Sequence, residues 1–202
     1  SLSIGSVRGA AKYKKIGVIW LDAHGDFNTH LTTPSGNIHG MSLAALCGLG
    51  DPRLTALYDE PVPVIDPGKV AIIGARDLDL GEKDNLRSAG ALVLSMEQVD
   101  RIGMVAALEQ CIEQVSRDVD GIYLSMDLDA LDPRFAPGVG TPVPGGLTYR
   151  EGHLACEVVA ETGKLIGMDV VEVNPILDEK NQTAKIAVEF ACSALGSRVW
   201  QG

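Results

Sequence analysis

The feature that most constrains this chain is a series of short runs that are apolar at nearly every position. They are Ile16–Leu21, Lys69–Ala75, Ala91–Leu94, Gly121–Met126 and Lys164–Val171. A strand with one wet face alternates apolar and polar residues. Runs that do not alternate suit strands covered on both faces, as parallel strands are. Helical patterns fill the intervals, over Met41–Leu49, Gly81–Ala89, Gly103–Arg117, Tyr149–Glu161 and Thr183–Gly196. The clearest boundary is Thr148, an N-cap whose capping box is completed by Glu151, with Gly163 as the stop. Strand and helix in alternation predict an α/β fold with a mainly parallel sheet flanked by helices. At 202 residues, 1–202 reads as one domain, without internal repeat or linker. The Pro- and Gly-rich stretch from Asp132 to Gly146 is long for a connector and reads as a functional loop.

Several function classes are disfavoured. No apolar run approaches the roughly 18–20 residues of a membrane span, and no secretory signal pattern is present. The formal net charge of −10 argues against a nucleic-acid partner, which needs Lys/Arg patches. It suits a cationic substrate or a bound metal, and equally a solvated acidic surface. Cys47, Cys111, Cys156 and Cys192 lack CxxC spacing and are expected as buried free thiols in a reducing, cytoplasmic compartment.

Two strands end in acids. "IGVIWLDAHGDFNTH" runs from a buried strand into Asp22, His24 and Asp26, which extended geometry would send to one side. "GIYLSMDLDALDP" ends in the same way with Asp127 and Asp129. Crowded carboxylates repel one another and are costly to desolvate, so a cation is expected among them. Ligands of open α/β sheets bind beyond the carboxyl ends of the strands. If these strands are neighbours, four carboxylates and one imidazole share a site suited to one or two divalent cations, Mn²⁺ ahead of Zn²⁺ because no thiolate is present. An isolated Asp-rich turn is more often an Asx-turn or a cap, and Asp132 before Pro133 is assigned to that class. "GMDVVEVNP" brings Asp169 and Glu172 to a third strand end. Glu172 would bind a cationic substrate group or sit in a surface ion pair. His39, on the loop "PSGNIHGM", is a candidate for proton transfer. His30 and His153 are expected on the surface.

Taken in order, "DAHGDFNT", "SGNIHGM", "SMDLDALDP", "GTPVPGGLTYRE" and "DVVEVNP" resemble the ureohydrolase family of arginases and agmatinases over nearly the whole chain. Asn28, the "SGN" segment and the "VEVNP" ending are closer to arginases. The resemblance implies a three-layer α/β/α fold and manganese-dependent hydrolysis of L-arginine to L-ornithine and urea by a metal-bridging hydroxide. It implies two Mn²⁺ per subunit, bridged by Asp22 and Asp127, with Asp26 on the first and His24 and Asp129 on the second. His39 and Asp129 would handle protons, and Glu172 would pair with the guanidinium. Thr141 would support the reacting end of the substrate, and Asn28, Ser35, Asn37 and Asp79 would hold its amino-acid end. Family members form trimers or hexamers, so a homo-oligomer is expected. The alternatives are agmatine or another guanidino substrate, or an inactive, metal-poor fragment. The last follows from one departure. The family's GGDHS motif supplies a further His ligand, and this chain begins at the Ser that would follow it. N-terminal strands of the fold are therefore expected to be absent and a sheet edge exposed.

Overall fold

Every expected apolar run becomes a strand. In the computed structural model, which describes residues 1–57 and 63–200, the strands are β1 (Ile16–Leu21), β2 (Val70–Ala75), β3 (Leu92–Ser95), β4 (Gly121–Asp127) and β5 (Leu165–Val171). They form one sheet in the order β3-β2-β1-β4-β5, and every pairing is parallel. The three central strands are buried at every position, which is why their sequences do not alternate. Leu21 lies beside Ile73 of β2 and Met126 of β4, so the residues that follow β1 and β4 leave the sheet together.

Helices cover both faces. On one face α5 (Met96–Ile102), α6 (Met104–Val115), α7 (Tyr149–Glu161) and α8 (Gln182–Ala194) enclose a core that includes Leu108, Ile122, Leu124 and Phe190. On the other, α1 (Leu2–Ala11), α2 (Ser42–Leu46) and α4 (Leu80–Ala89) cover Trp20, Phe27, Leu43 and Ile72; α3 (Pro52–Thr55) is a single turn capped by Asp51. This is the expected three-layer arrangement. Full burial of each large aliphatic side chain contributes about 1.5–3 kcal/mol, so these two cores are the main source of stability.

Besides the single turn α3, two helices were not expected. Gly5 and Gly9 weaken the helical signal of the first segment, but tertiary contacts override it. Ile4 and Val7 are buried, Ser6 Oγ donates to Asp169 Oδ2 at 2.7 Å, and Arg8 Nη2 donates to the Thr55 carbonyl at 2.6 Å. The second is α5, where the reading starts a helix only at Gly103. The Ser95–Gln98 capping box begins it earlier, and Gly103 at φ 82° separates it from α6. His153 is also not a free surface residue. Its Nδ1 lies 2.9 Å from Ser193 Oγ, and its ring packs edge-on against Phe190 and Tyr149. The four cysteines are free as expected, but Cys192 is exposed rather than buried. Among the described residues no helix is long and apolar enough to cross a membrane. The edge strand β5 is partly exposed along most of its length.

The capping box at Thr148 is present as read. Thr148 N donates to Glu151 Oε2 at 2.8 Å, and Thr148 Oγ1 accepts from Glu151 N. Thr148→Ala is expected to lower unfolding free energy by about 1 kcal/mol, measured by urea titration.

Candidate active site

The two acidic strand ends meet because β1 and β4 are hydrogen-bonded neighbours. The path to convergence differs from the one expected. Strand geometry ends at Leu21, and Asp26 has a left-handed backbone with φ 50°. A loop, rather than a continued strand, brings Asp26 back. Asp22 N still donates to Ile73 O, and the Ala23 carbonyl accepts from Arg76 N and Asp77 N, which fastens the loop to the end of β2. The Asp26 carbonyl accepts from Leu43 N and Ala44 N at the start of α2.

Asp22 Oδ2 accepts from Trp20 Nε1 at 2.9 Å, and its Oδ1 accepts from the His24 amide at 2.7 Å. Asp127 Oδ1 accepts from Asp129 N at 2.8 Å. This second cluster is therefore an Asx-turn as well as a candidate ligand set. Asp129 Oδ1 accepts from Ala23 N at 3.2 Å, and its Oδ2 accepts from Thr141 Oγ1 at 3.0 Å. Both oxygens of Asp22 and of Asp129 are thus bonded, whereas Asp127 is held through Oδ1. Among the described residues no donor reaches the carboxylate of Asp26. His24 Nδ1 stands 3.3 Å from Asp22 Oδ1 and 3.1 Å from Asp129 Oδ2, and donor atoms of these three residues lie within 4.8 Å of one another.

The electrostatics match the crowding. Burial, aided by the charge of Asp129 and opposed by His24, pushes the Asp22 carboxyl up to about 7. Burial and then the charge of Asp22 push Asp26 and Asp127 well above the usual carboxylate range. Burial would raise Asp129 too, but its hydrogen bond and ion pair with His24 hold it below the ordinary value. For His24 burial opposes protonation, yet Asp129 and Asp22 raise its pKa to about 11. In this arrangement the His24 imidazolium lies within ion-pair distance of Asp22 and Asp129. Hard oxygen donors with an imidazole beside them, part of them without hydrogen bonds, fit a divalent cation that prefers oxygen ligands.

A cavity of about 320 Å³ opens over these groups, lined by Asp22, His24, Asp26, Asp127 and Asp129 together with His39, Thr141, Glu172 and Ser1 to Ser3. A second cavity of about 200 Å³ shares His24, Asp26, His39 and Thr141, and continues past Asn28, Ser35, Asn37 and Asp79. The structure therefore brings every candidate residue to one of two adjoining cavities. Glu172 is exposed at the end of β5 with φ 65°. Left-handed backbone at both Asp26 and Glu172 is a local cost of the kind that collects at functional sites. Asn28 is buried, with its Nδ2 donating to Asp79 Oδ2 at 2.8 Å.

Sequence reasoning missed four residues of the second cavity: Thr33, Gly40, Asp77 and Glu82. Glu82 is buried, accepting from Phe27 N at 2.8 Å and from Asp79 N at 3.2 Å, and so ties the Asn28 loop to the start of α4. Its signal was present in "DLGE", a capping box from Asp79 to Glu82.

Comparison with known proteins agrees with this geometry. The Arginase family model matches residues 1–196. An arginase of Bacillus caldovelox is 52% identical over 200 residues, 98% of this chain and 67% of that protein. Its solved structure superposes with a TM-score of 0.95 at 51% identity, covering 98% of this chain and 67% of the other. An arginase of Entamoeba histolytica solved in complex with L-ornithine matches with a TM-score of 0.88 at 34% identity, over 97% of this chain and 66% of that one. The chain thus spans about two thirds of the length of these relatives.

The raised carboxyls give a signed prediction. A group whose pKa is higher folded than unfolded stabilises the fold at low pH and loses that contribution as pH rises through the folded value. With chelator present, the urea midpoint should fall between about pH 4 and pH 7, the window of Asp22, with Asp26 and Asp127 acting in the same direction. Asp127→Asn keeps an acceptor for Asp129 N and removes one buried charge. It should raise the chelated midpoint at neutral pH and abolish any gain from added Mn²⁺.

Proposed function

The chain belongs to the arginase family, and on that premise we propose that it carries the catalytic centre of a manganese-dependent hydrolase acting on L-arginine. The observation that supports this best is the meeting of Asp22, His24, Asp26, Asp127 and Asp129 at two adjacent strand ends, beneath a cavity that also holds His39 and Glu172. In this reading Asp22 and Asp127 would serve both cation sites, Asp26 the first, and His24 with Asp129 the second. When bound, the two cations supply an acidified water and positive charge opposite the developing negative charge.

The chain's own residues do the rest. Glu172 offers a carboxylate to the guanidinium and turns its carbon towards the acids, an orienting effect that can carry a large share of a rate. Thr141, already donating to Asp129, sits where the two cavities join and supports the reacting end of the substrate. Asp129 and the exposed His39 would carry a proton to the leaving amine. Asn28, Ser35 and Asn37 offer neutral polar groups to a substrate carboxylate, and Asp79 offers a charge to its ammonium. Such a chain of polar groups suits arginine better than agmatine, which has no carboxylate. The E. histolytica arginase solved with L-ornithine supports the same choice. The family reading extends to a cytoplasmic homo-oligomer, for which exposed Val188, Leu195 and Trp200 supply apolar surface.

Ser1 lines the first cavity, and the family motif sets a His immediately before that position. A chain carrying Gly-Gly-Asp-His ahead of Ser1 is expected to bind its first Mn²⁺ about 10-fold more tightly or better, read by electron paramagnetic resonance of free Mn²⁺. With Mn²⁺ that protein should form urea from arginine in preference to agmatine, and Glu172→Gln should lower kcat/KM by about 100-fold. Preference for agmatine would refute the arginine assignment, and absence of urea from every guanidino compound would refute the catalytic one.

A further inference from the structure

Asp129 and Thr141 are bonded to each other, but neither lies on a strand or helix long enough to fix it. Asp129 is in a short helical turn after β4, and Thr141 is in the loop that runs to Gly146. What joins their two stretches of chain is Arg76, at the end of β2 and outside both cavities' linings. Its guanidinium makes seven hydrogen bonds to six backbone carbonyls. Nη2 donates to Asp129 O at 2.7 Å, Val143 O at 2.6 Å and Leu131 O at 3.2 Å. Nη1 donates to Ala130 O and Gly74 O at 3.2 Å, and Nε to Val143 O and Pro144 O at 3.2 Å.

One planar fork thus holds the carbonyls of 129–131 on one side and those of 143–144 on the other. The loop closes around it through Asp132 N to Leu147 O, Leu147 N to Ala130 O, and Gly145 N to Asp132 Oδ2. Gly146 is the position that leaves room for the fork. A Cβ there would stand 2.5 Å from Arg76 Nη2 and 2.6 Å from Ala130 O. Lysine cannot reproduce this pattern, because an ammonium is a point donor without a planar fork.

We propose that Arg76 is a positioning residue of the centre, clamping the loop 128–146 to β2 so that Asp129 and Thr141 keep a fixed separation and a common orientation towards the cavity. The inference rests on the metal reading above, and it also makes a claim about the metal-free chain.

The test uses Arg76→Lys and Gly146→Ala in the full 202-residue chain. The first removes the fork; the second keeps the arginine but crowds its Nη2 together with the backbone of Ala130 and Asp132. Amide hydrogen exchange of the metal-free protein should quicken about 10-fold or more over residues 128–147 and stay unchanged in α7. Mn²⁺ affinity, read by electron paramagnetic resonance, should weaken by about 10- to 100-fold, as loss of an outer contact to a metal ligand typically does. Wild-type exchange in that loop in either folded variant overturns the proposal, as does quickened exchange with unaltered Mn²⁺ affinity. Quickening spread over the whole chain also overturns it, since that marks a general structural role. If Arg76→Lys does not fold, Gly146→Ala decides by the same criteria. A wild-type chain that binds no Mn²⁺ refutes the metal reading separately, and loop exchange then decides the clamp.

Discussion

The arrangement of this molecule turns on placing four carboxylates where they repel one another. Asp22 and Asp127 leave neighbouring strands side by side, and Asp26 and Asp129 return to the same cavity through loops. Of the acids, Asp22 and Asp129 have the His24 imidazole within ion-pair distance. No hydrophobic argument favours this, and the raised carboxyls show that burial works against it. The surroundings are built to hold the acids nonetheless. Trp20 and the His24 amide fix Asp22, the Asp129 amide fixes Asp127, and Ala23 with Thr141 fix Asp129. Each of these hydrogen bonds favours the charged form of the carboxylate it holds. A site organised to keep negative charge in a low-dielectric setting is organised for a cation.

The sheet was legible because parallel strands covered on both faces must be apolar throughout. Burial of every position in β1, β2 and β4 is the physical counterpart of the runs in the sequence. Helices with strong local signals were legible for the same kind of reason, as at Thr148 and Glu151. Helix α1 was not, because its glycines speak against it and its support comes from Asp169 and Thr55, residues far along the chain. Long-range bonds leave no local pattern. Ser95 and Gln98 did leave one, and the early start of α5 could have been read from it.

The candidate site divides along the same line. Residue types at strand ends pointed to Asp22, His24, Asp127 and Asp129, and sheet order made them neighbours. Spacing alone did not describe the route to Asp26, whose left-handed backbone breaks the alternation that suggested it. Glu82 and Arg76 escaped notice because they act on backbone. The partners of Arg76 are carbonyls, which every residue carries, so no sequence pattern names it, and Glu82 left only its capping-box spacing from Asp79.

That division bears on how such a centre keeps its geometry. Donors on strand ends inherit the precision of the ladder, since Leu21 and Met126 are fixed in register. Donors on loops have no ladder and need a substitute. Glu82 fastens the loop of Asn28 through the Phe27 amide, and Arg76 fastens the loops of Asp129 and Thr141 through six carbonyls. Both are ionisable side chains that give their hydrogen bonds to the main chain. A neutral side chain could not hold so many carbonyls at once, because only a guanidinium offers five N–H donors in a rigid plane. The positive charge of Arg76 also lies near Asp129, Asp132 and Asp22, where it offsets part of the crowding it helps to organise. Rigidity and charge compensation are thus supplied by one side chain, which ties the loop half of the site to the strand half.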